Sequence, residues 1–360
     1  MTATQNQIAK RRLILGITNV GFWVAASTTG IALGIHFGPV SIEEISLLKW
    51  MTAVIAIQSL FDFVGGTVFM PRSPTYVGFF QHWTRGVLVH SALLVGTGVL
   101  SYWSFQLTKG FYLSVAAVSL ALLFWRAHIL RLVSGARFCS SSFEGNSGWD
   151  VDSRDPSFTG GTLGIGPTAV ILLPAPWRAQ LTSTQLQTLI ERRLWEIRNN
   201  LPMRSFLAAL VWNLAGCKLG SVLLNLQAHS PAQAVLLQCA WMTLWGFLGL
   251  LILPSLSRGS VFSADRAVTV KGFDAKDWIQ KFPVLTGEDG NSKTFVQRIF
   301  YPIPSAAERM SLLDNSALPP PVGSVARLNL FLSLATLTIL GRCVHCNVGR
   351  PELWIFPPTD

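Results

Sequence analysis

The stretch Ala232–Pro254 reads AQAVLLQCAWMTLWGFLGLLILP and contains no charged residue. A hydrocarbon core about 30 Å thick is crossed by about 20 mostly apolar helical residues, so this segment alone predicts a membrane span. Five further stretches qualify on the same grounds: Leu13–Phe37, Leu47–Met70, Val87–Gln106, Phe111–Val133 and Phe206–Leu226. A seventh, Leu328–Leu340, is shorter, and its length predicts a buried or interfacial helix. Composition agrees. Of the 360 residues 50% are hydrophobic and only 13% charged, where a soluble domain carries about 25%, and the mean hydropathy is +0.43. These values exclude one large soluble domain, and they exclude disorder, which needs low hydrophobicity. The 13 Trp and 22 Phe suit membrane interfaces and apolar interiors.

The formal net charge of +10 would suggest a nucleic-acid partner in a soluble protein. Here the basic residues read first as topology signals, and no nucleic-acid partner is expected. Lys10, Arg11 and Arg12 precede the first span, and Glu43 and Glu44 follow it. Arg72 and Arg85 lie between spans two and three, and Arg126, Arg131 and Arg137 around the end of span four. The loop between spans five and six has no Lys or Arg, and Lys109 alone runs against the pattern. The expectation is an integral protein of an inner or plasma membrane, with the N-terminus and polar regions cytoplasmic. The first apolar run is too long for a signal peptide and reads as a retained anchor. Five cysteines, an odd number with no disulfide spacing, point to a reduced compartment.

The resulting organisation is a four-helix membrane region over 1–133, a polar region over 134–205, a membrane hairpin over 206–254, a second polar region over 255–327, and a C-terminal helix and tail over 328–360. Each polar region is too small and too interrupted by Gly and Pro to form its own core. Together they predict one α+β domain split by the hairpin. Within it, Ser140–Ser147 reads as a Ser/Gly-rich loop, Phe158–Gly164 as a tight turn and Thr168–Leu173 as a strand. Leu181–Asn199 reads as a helix capped by Thr182 or Ser183. Its apolar stripe is Leu186, Leu189, Ile190, Leu194 and Ile197; the opposite face carries Glu191, Arg192, Arg193, Glu196 and Arg198. Pro319-Pro320-Pro321 reads as a stiff link.

This order of parts resembles integral-membrane zinc metallopeptidases of the HtpX and CAAX prenyl protease type. Three short patterns carry the resemblance. The capped helix sits where the family has HExxH, two zinc-binding His and a general-base Glu. Arg192 and Glu196 stand at the two His positions and Arg193 at the Glu. After the hairpin, Ser257-Arg258 and Ala264-Asp265 match a family Ser-Arg and Ala-Asp, with Val261 in place of a zinc-binding Glu. Tyr301-Pro302 through Glu308-Arg309 is similar to a His-Pro motif followed by Glu-Arg. The resemblance implies a split peptidase-like domain and, in active members, an edge strand beside the zinc helix that holds extended substrate. Catalytic zinc needs about three protein ligands and an open position. A guanidinium has no lone pair to give, so no zinc is expected at this helix.

Cys343-Val344-His345-Cys346 is the one cluster with metal-ligand residue types close in sequence. Zinc or redox work there is one reading, a packed reduced turn the other. The following Gly349–Trp354 reads as a structured tail lying back on the protein. Asp62 and Lys218 lie inside spans, where a charge costs roughly 2.5–3.5 kcal/mol on insertion scales, so each is expected to pair between helices or mark function. Arg126, His128 and Arg131 read as snorkelling residues. The leading functional expectation is a non-catalytic membrane protein that sits in the lipid bilayer and binds a protein or peptide partner. An active membrane peptidase or hydrolase using Glu191, Glu196 and Asp265 is the alternative, and a transporter component a weaker one. Arg192 or Arg193 is expected to pair with Asp265 across the split domain, or to receive an acidic group from a partner.

Overall fold

The computed structural model describes residues 3–36, 44–68, 76–143, 145–153, 155, 157–286, 303–314 and 318–358. Tyr301 and Pro302, with Glu43 and Arg72, lie outside the described residues.

Among the described residues, six helices are long and apolar enough to cross a membrane, as expected of an integral membrane protein in a lipid bilayer. They are α1 (Ala3–His36), α2 (Glu44–Val68), α3 (Tyr76–Thr108), α4 (Tyr112–Ser134), α7 (Leu201–Leu223) and α8 (Pro231–Val270). Each overlaps a predicted span. The largest difference is α8. The apolar run stops at Pro254, but the helix continues to Val270. At 1.5 Å per residue its 40 residues reach about 60 Å, twice the hydrocarbon thickness, so its second half carries the polar pattern Ser257–Asp265 away from the apolar bundle. Proline removes one intrahelical hydrogen bond without ending a helix held on both sides by packing; Pro254 is buried.

Between α4 and α7 lies a four-stranded sheet, order β1-β2-β4-β3, built from β1 (Arg137–Phe143), β2 (Asn146–Asp152), β3 (Gly161–Leu163) and β4 (Val170–Pro174). The Ser140–Ser147 stretch is therefore not a loop. Ser140, Ser141 and Ser142 stand in β1, paired antiparallel with Trp149, Gly148 and Ser147 of β2, and Gly145 turns the hairpin at φ 81°. β2 and β4 run parallel, and β3 is antiparallel to β4. The predicted strand 168–173 corresponds to β4, which is interior; the last strand on that side of the sheet is β3, within the stretch read as a turn and buried to half-buried. Side chains alternate between sheet faces. Ile171 and Leu173 join a core with Trp177, Leu189, Leu194, Trp278 and Phe282, while Leu172 joins the main core shared with the membrane helices.

The helix α6 (Ser183–Arg198) follows a short helix α5 (Trp177–Gln180) and opens on a capping box: Gln185 N donates to Thr182 Oγ1 (3.2 Å) and Thr182 N to Gln185 Oε1 (3.1 Å). After α8 come α9 (Ala275–Thr286), α10 (Ala306–Leu312), α11 (Val325–Leu332), α12 (Leu340–Cys343) and α13 (Pro351–Ile355). From Val325 to Pro358 every residue is buried except Val344, His345 and Cys346, which are half-buried. This C-terminal segment packs among α1, α3, α4, α7 and α8. Irregular backbone among spans is tolerated only where protein covers it, and that burial accounts for the broken helices here.

Candidate functional site

The charged face of α6 is solvated only toward its end, where Arg198 is exposed. Glu191, Arg192 and Arg193 are all buried, because α8 and the membrane bundle cover the face opposite the Trp177–Trp278 core. The sequence patterns that resemble a peptidase site meet here. Arg309 of α10 donates twice to Asp265 of α8, Nε to Oδ2 and Nη2 to Oδ1, both at 2.8 Å. Arg192 Nε lies 3.0 Å from Asp265 Oδ1. Asp265 thus sits between two guanidiniums, all three side chains 1% exposed. Arg258 Nη2 donates to Glu308 Oε2 at 2.6 Å. Burial works to raise the Glu308 carboxyl, but the Arg258 hydrogen bond and charge and the Ser305 contacts outweigh it and hold it below the usual glutamate range.

The ion pair with Asp265 across the split domain is made by Arg192. Arg193 instead bonds Glu196 within its own helix, Nη1 to Oε1 at 3.1 Å. The reason is helical geometry: adjacent residues point about 100° apart, so Arg192 faces α8 and Arg193 does not. Glu191 is held by Lys271 and, at 3.5 Å, by Arg198. Val261 lies one turn before Asp265 on α8, half-buried. Ser257 and Ser260 on the same helix accept from Ala326 N (3.0 Å) and Gly323 N (2.5 Å), tying the start of the C-terminal segment to the site.

Arg193 and Glu196 open onto a cleft of about 60 Å³, walled by Gly160, Gly161 and Thr162 of the β3 edge and by Arg126 and Arg327. Gly160 has φ 68°, and a Cβ there would lie 2.2 Å from Leu172 O, so only glycine lets β3 approach β4 this closely. Arg193 Nη2 and Arg327 Nε are buried with no hydrogen-bond partner. Three guanidiniums and one carboxylate give the cleft a net positive lining, a poor setting for a divalent cation.

Of the intramembrane charges, Asp62 pairs between helices as expected, whereas Lys218 and Arg126 differ from expectation. Asp62 pairs with Arg342 of the C-terminal segment, Nε to Oδ2 at 3.0 Å, both fully buried. It also accepts from Gly349 N at 2.9 Å. Lys218 is exposed on α7. Arg126 does not snorkel: it is buried, donates to Ile355 O from Nε (3.1 Å) and Nη2 (2.9 Å), and stacks 3.7 Å from the Phe356 ring. Arg131 lies over Phe138 and Trp149, and His128 is exposed. The tail does lie back on the protein. Arg350 grips Asp155, Nε to Oδ2 at 2.6 Å, and this pairing outweighs burial to hold the Asp155 carboxyl below its usual range.

The C-terminal Cys-His cluster is spread over separate partners. Cys343 is buried, 3.2 Å from Ile339 O and 3.4 Å from Gln58 Oε1. Cys346 Sγ accepts from Arg327 Nη1 at 3.2 Å, and the His345 backbone lies against Gly16. All five cysteines are free thiols. Among the described residues, no three His, Cys, Asp or Glu side chains gather into a group that could hold a metal. Sequence reasoning missed Arg327, whose one signal was a lone arginine opening an apolar helix. No protein-family model, no curated protein and no solved structure matches the chain.

Proposed function

We propose that this is a non-catalytic membrane protein on the scaffold of an HtpX-type metallopeptidase, and that it holds an acidic group of a protein or peptide partner in the cleft of Arg126, Arg193 and Arg327. The N-terminus and the split polar domain face the cytoplasm, following the basic flanks of the spans. The observation that carries the reading is the Asp265 cluster. At the helix position where the resembled family binds zinc, Arg192 and Arg309 close on a carboxylate instead. The carboxylates that an unusual hydrolase would use are engaged in the same way, Glu191 with Lys271, Glu196 with Arg193 and Asp265 with two arginines. A carboxylate tied into such pairs is a structural anion rather than a free base. The edge strand β3 beside Arg193 offers backbone groups to an extended chain.

The test is a titration of the purified full chain with peptides bearing acidic or amidated side chains. Acidic peptides bind, and Arg193→Gln weakens them about tenfold, as loss of a charge-assisted hydrogen bond does, without affecting their amidated counterparts. Equal binding of both peptide sets defeats the acidic-group reading. One zinc per chain that survives a Cys343→Ser, Cys346→Ser double substitution, with chelator-sensitive proteolysis, defeats the non-catalytic one. Reporter fusions after Ser140 and after Lys276 both read cytoplasmic if the orientation holds.

A further inference from the structure

A second cavity, of about 280 Å³, lies between α1, α8 and the C-terminal segment. Its walls are apolar: Leu13, Ile17 and Val20 from α1, with Phe247, Leu250 and Leu251 from α8. Ile17 and Leu251 are 48% and 41% exposed on the outer surface of spans, so the mouth opens sideways between two membrane helices. The inner end is polar, formed by Arg327, Asn329, His345 and Cys346. Arg327 is 5% exposed and Asn329 7%. Arg327 Nε and Asn329 Oδ1 are buried without a hydrogen-bond partner. Among the described residues, the guanidinium's one hydrogen-bond contact is Nη1 to the Cys346 sulfur at 3.2 Å, a weak acceptor. Arg12, one turn before Gly16, likewise keeps Nε and Nη2 buried and unpartnered. The charges of Arg327, Arg12 and Arg350 all act on His345; the Asp155 carboxylate pairs with Arg350 and also acts on Arg12.

A buried guanidinium without an anion is costly, and one at the closed end of an apolar slot is matched by one kind of molecule. We infer that this cavity binds a long-chain carboxylic acid, its alkyl chain between α1 and α8 and its carboxylate on the Arg327 guanidinium. The volume is at the small end for ligand pockets, about 300–1,000 Å³, which favours one chain over a two-chain phospholipid. The planar fork of arginine fits a carboxylate with two parallel bonds. A free acid reaches the site by partitioning into the bilayer and entering sideways. The site is separate from the cleft on α6 except for Arg327, which lines both.

Gly21 supplies a clean test. It lines the cavity, and a Cβ added there meets no atom within 4 Å. Gly21→Leu therefore fills the slot without a clash at Cβ, and leucine is the better helix former. The full chain in nanodiscs of uncharged lipid is titrated with a conjugated-polyene fatty acid, whose fluorescence rises as it leaves water. Competitors are the alcohol, the amine and the lysophosphatidic acid of the same chain length. The acid binds at least about tenfold more tightly than the alcohol, the ordinary worth of hydrogen bonds to a charged group. Arg327→Gln brings acid and alcohol level, and Gly21→Leu weakens both about tenfold. Wild-type protein that does not separate acid from alcohol overturns the proposal. So does unchanged binding in Gly21→Leu, and so does lysophosphatidic acid displacing the probe better than the carboxylic acid. Because Gly21 is remote from the cleft lining, peptide binding in Gly21→Leu stays at the wild-type level, so failure here is distinct from failure at the cleft.

Discussion

Two buried carboxylates organise this protein, and they are satisfied by different arithmetic. Asp62, among the membrane helices, meets one guanidinium, Arg342, and one backbone N–H. Asp265, in the polar domain, meets two guanidiniums. The first pair is neutral, as a low-dielectric bundle demands. The second leaves one positive charge over, and the cleft next to it holds the Arg193–Glu196 pair and Arg327, with Arg193 Nη2 and Arg327 Nε buried and without a hydrogen-bond partner among the described residues. The comparison separates two uses of arginine. At Arg342 it locks the C-terminal segment into the bundle, 280 residues from its partner in sequence. Around Asp265 two arginines from different helices close on one carboxylate and join α6 and α10 to α8.

The comparison breaks most easily at Asp62. Arg342→Ala strands a fully buried carboxylate, and Asp62→Ala strands a fully buried guanidinium. Either change costs about 3–5 kcal/mol, the usual penalty for removing one partner of a buried pair. Both lower the unfolding midpoint in detergent and open the C-terminal tail to proteolysis. The double substitution costs far less than the sum. Next in size is Arg192→Leu. Arg309 still holds Asp265 with two bonds, so the loss is about 1–3 kcal/mol. An Arg192–Asp265 double-mutant cycle gives a clear coupling, while an Arg193–Asp265 cycle is additive. Coupling at Arg193 in place of Arg192 means the helix faces are wrongly assigned. Smaller again is Arg193→Gln, under about 1 kcal/mol in stability for a same-helix pair, despite its effect on acidic peptides.

Much of this was legible in the sequence where the signal is periodic and long. The spans, the α6 cap at Thr182 and the ordered Ser257-Arg258, Ala264-Asp265 and Glu308-Arg309 patterns all end in physical contacts. The misses share a cause, which is that local composition cannot report distant partners. Ser140–Ser142 read as loop because serine has low strand preference, yet β2 supplies the ladder. Arg126 looked like a residue seeking water, and nothing local in the sequence names a partner for Arg342. In the fold their hydrogen-bond needs are met by Ile355 O and Asp62, both more than two hundred residues away. Arg193 and Arg192 are chemically equal in the sequence and differ only in which way the helix turns them. The end of α8 was misplaced because a hydropathy boundary at Pro254 marks where lipid contact stops, not where hydrogen bonding does.

The mildest test uses pH at Arg258–Glu308, on the rim of the Asp265 cluster. Glu308 titrates below its ordinary value in the folded chain because the Arg258 contact outweighs its burial. A depressed carboxyl contributes stability that is complete above the unfolded value, about 4.3. The contribution is lost as pH falls through the lower folded value, since in that window the unfolded chain binds the extra proton. Glu308→Gln removes this linkage and keeps the cap, because a glutamine at this helix position can still reach back to Ser305 N. The side chain is 27% exposed, so solvent screening holds the effect to under about 1 kcal/mol. Thermal midpoints recorded from about pH 6 down to about pH 3 should therefore converge, wild type starting higher and meeting Glu308→Gln at the acid end. Arg258→Gln should follow the Glu308→Gln curve, and adding the second substitution should change little. Asp155, held low by Arg350, titrates in the same direction in every variant, so only the difference between curves reports this pair. Parallel curves would mean that Arg258 does not act on Glu308, and that α10 is fastened to α8 by Asp265 alone.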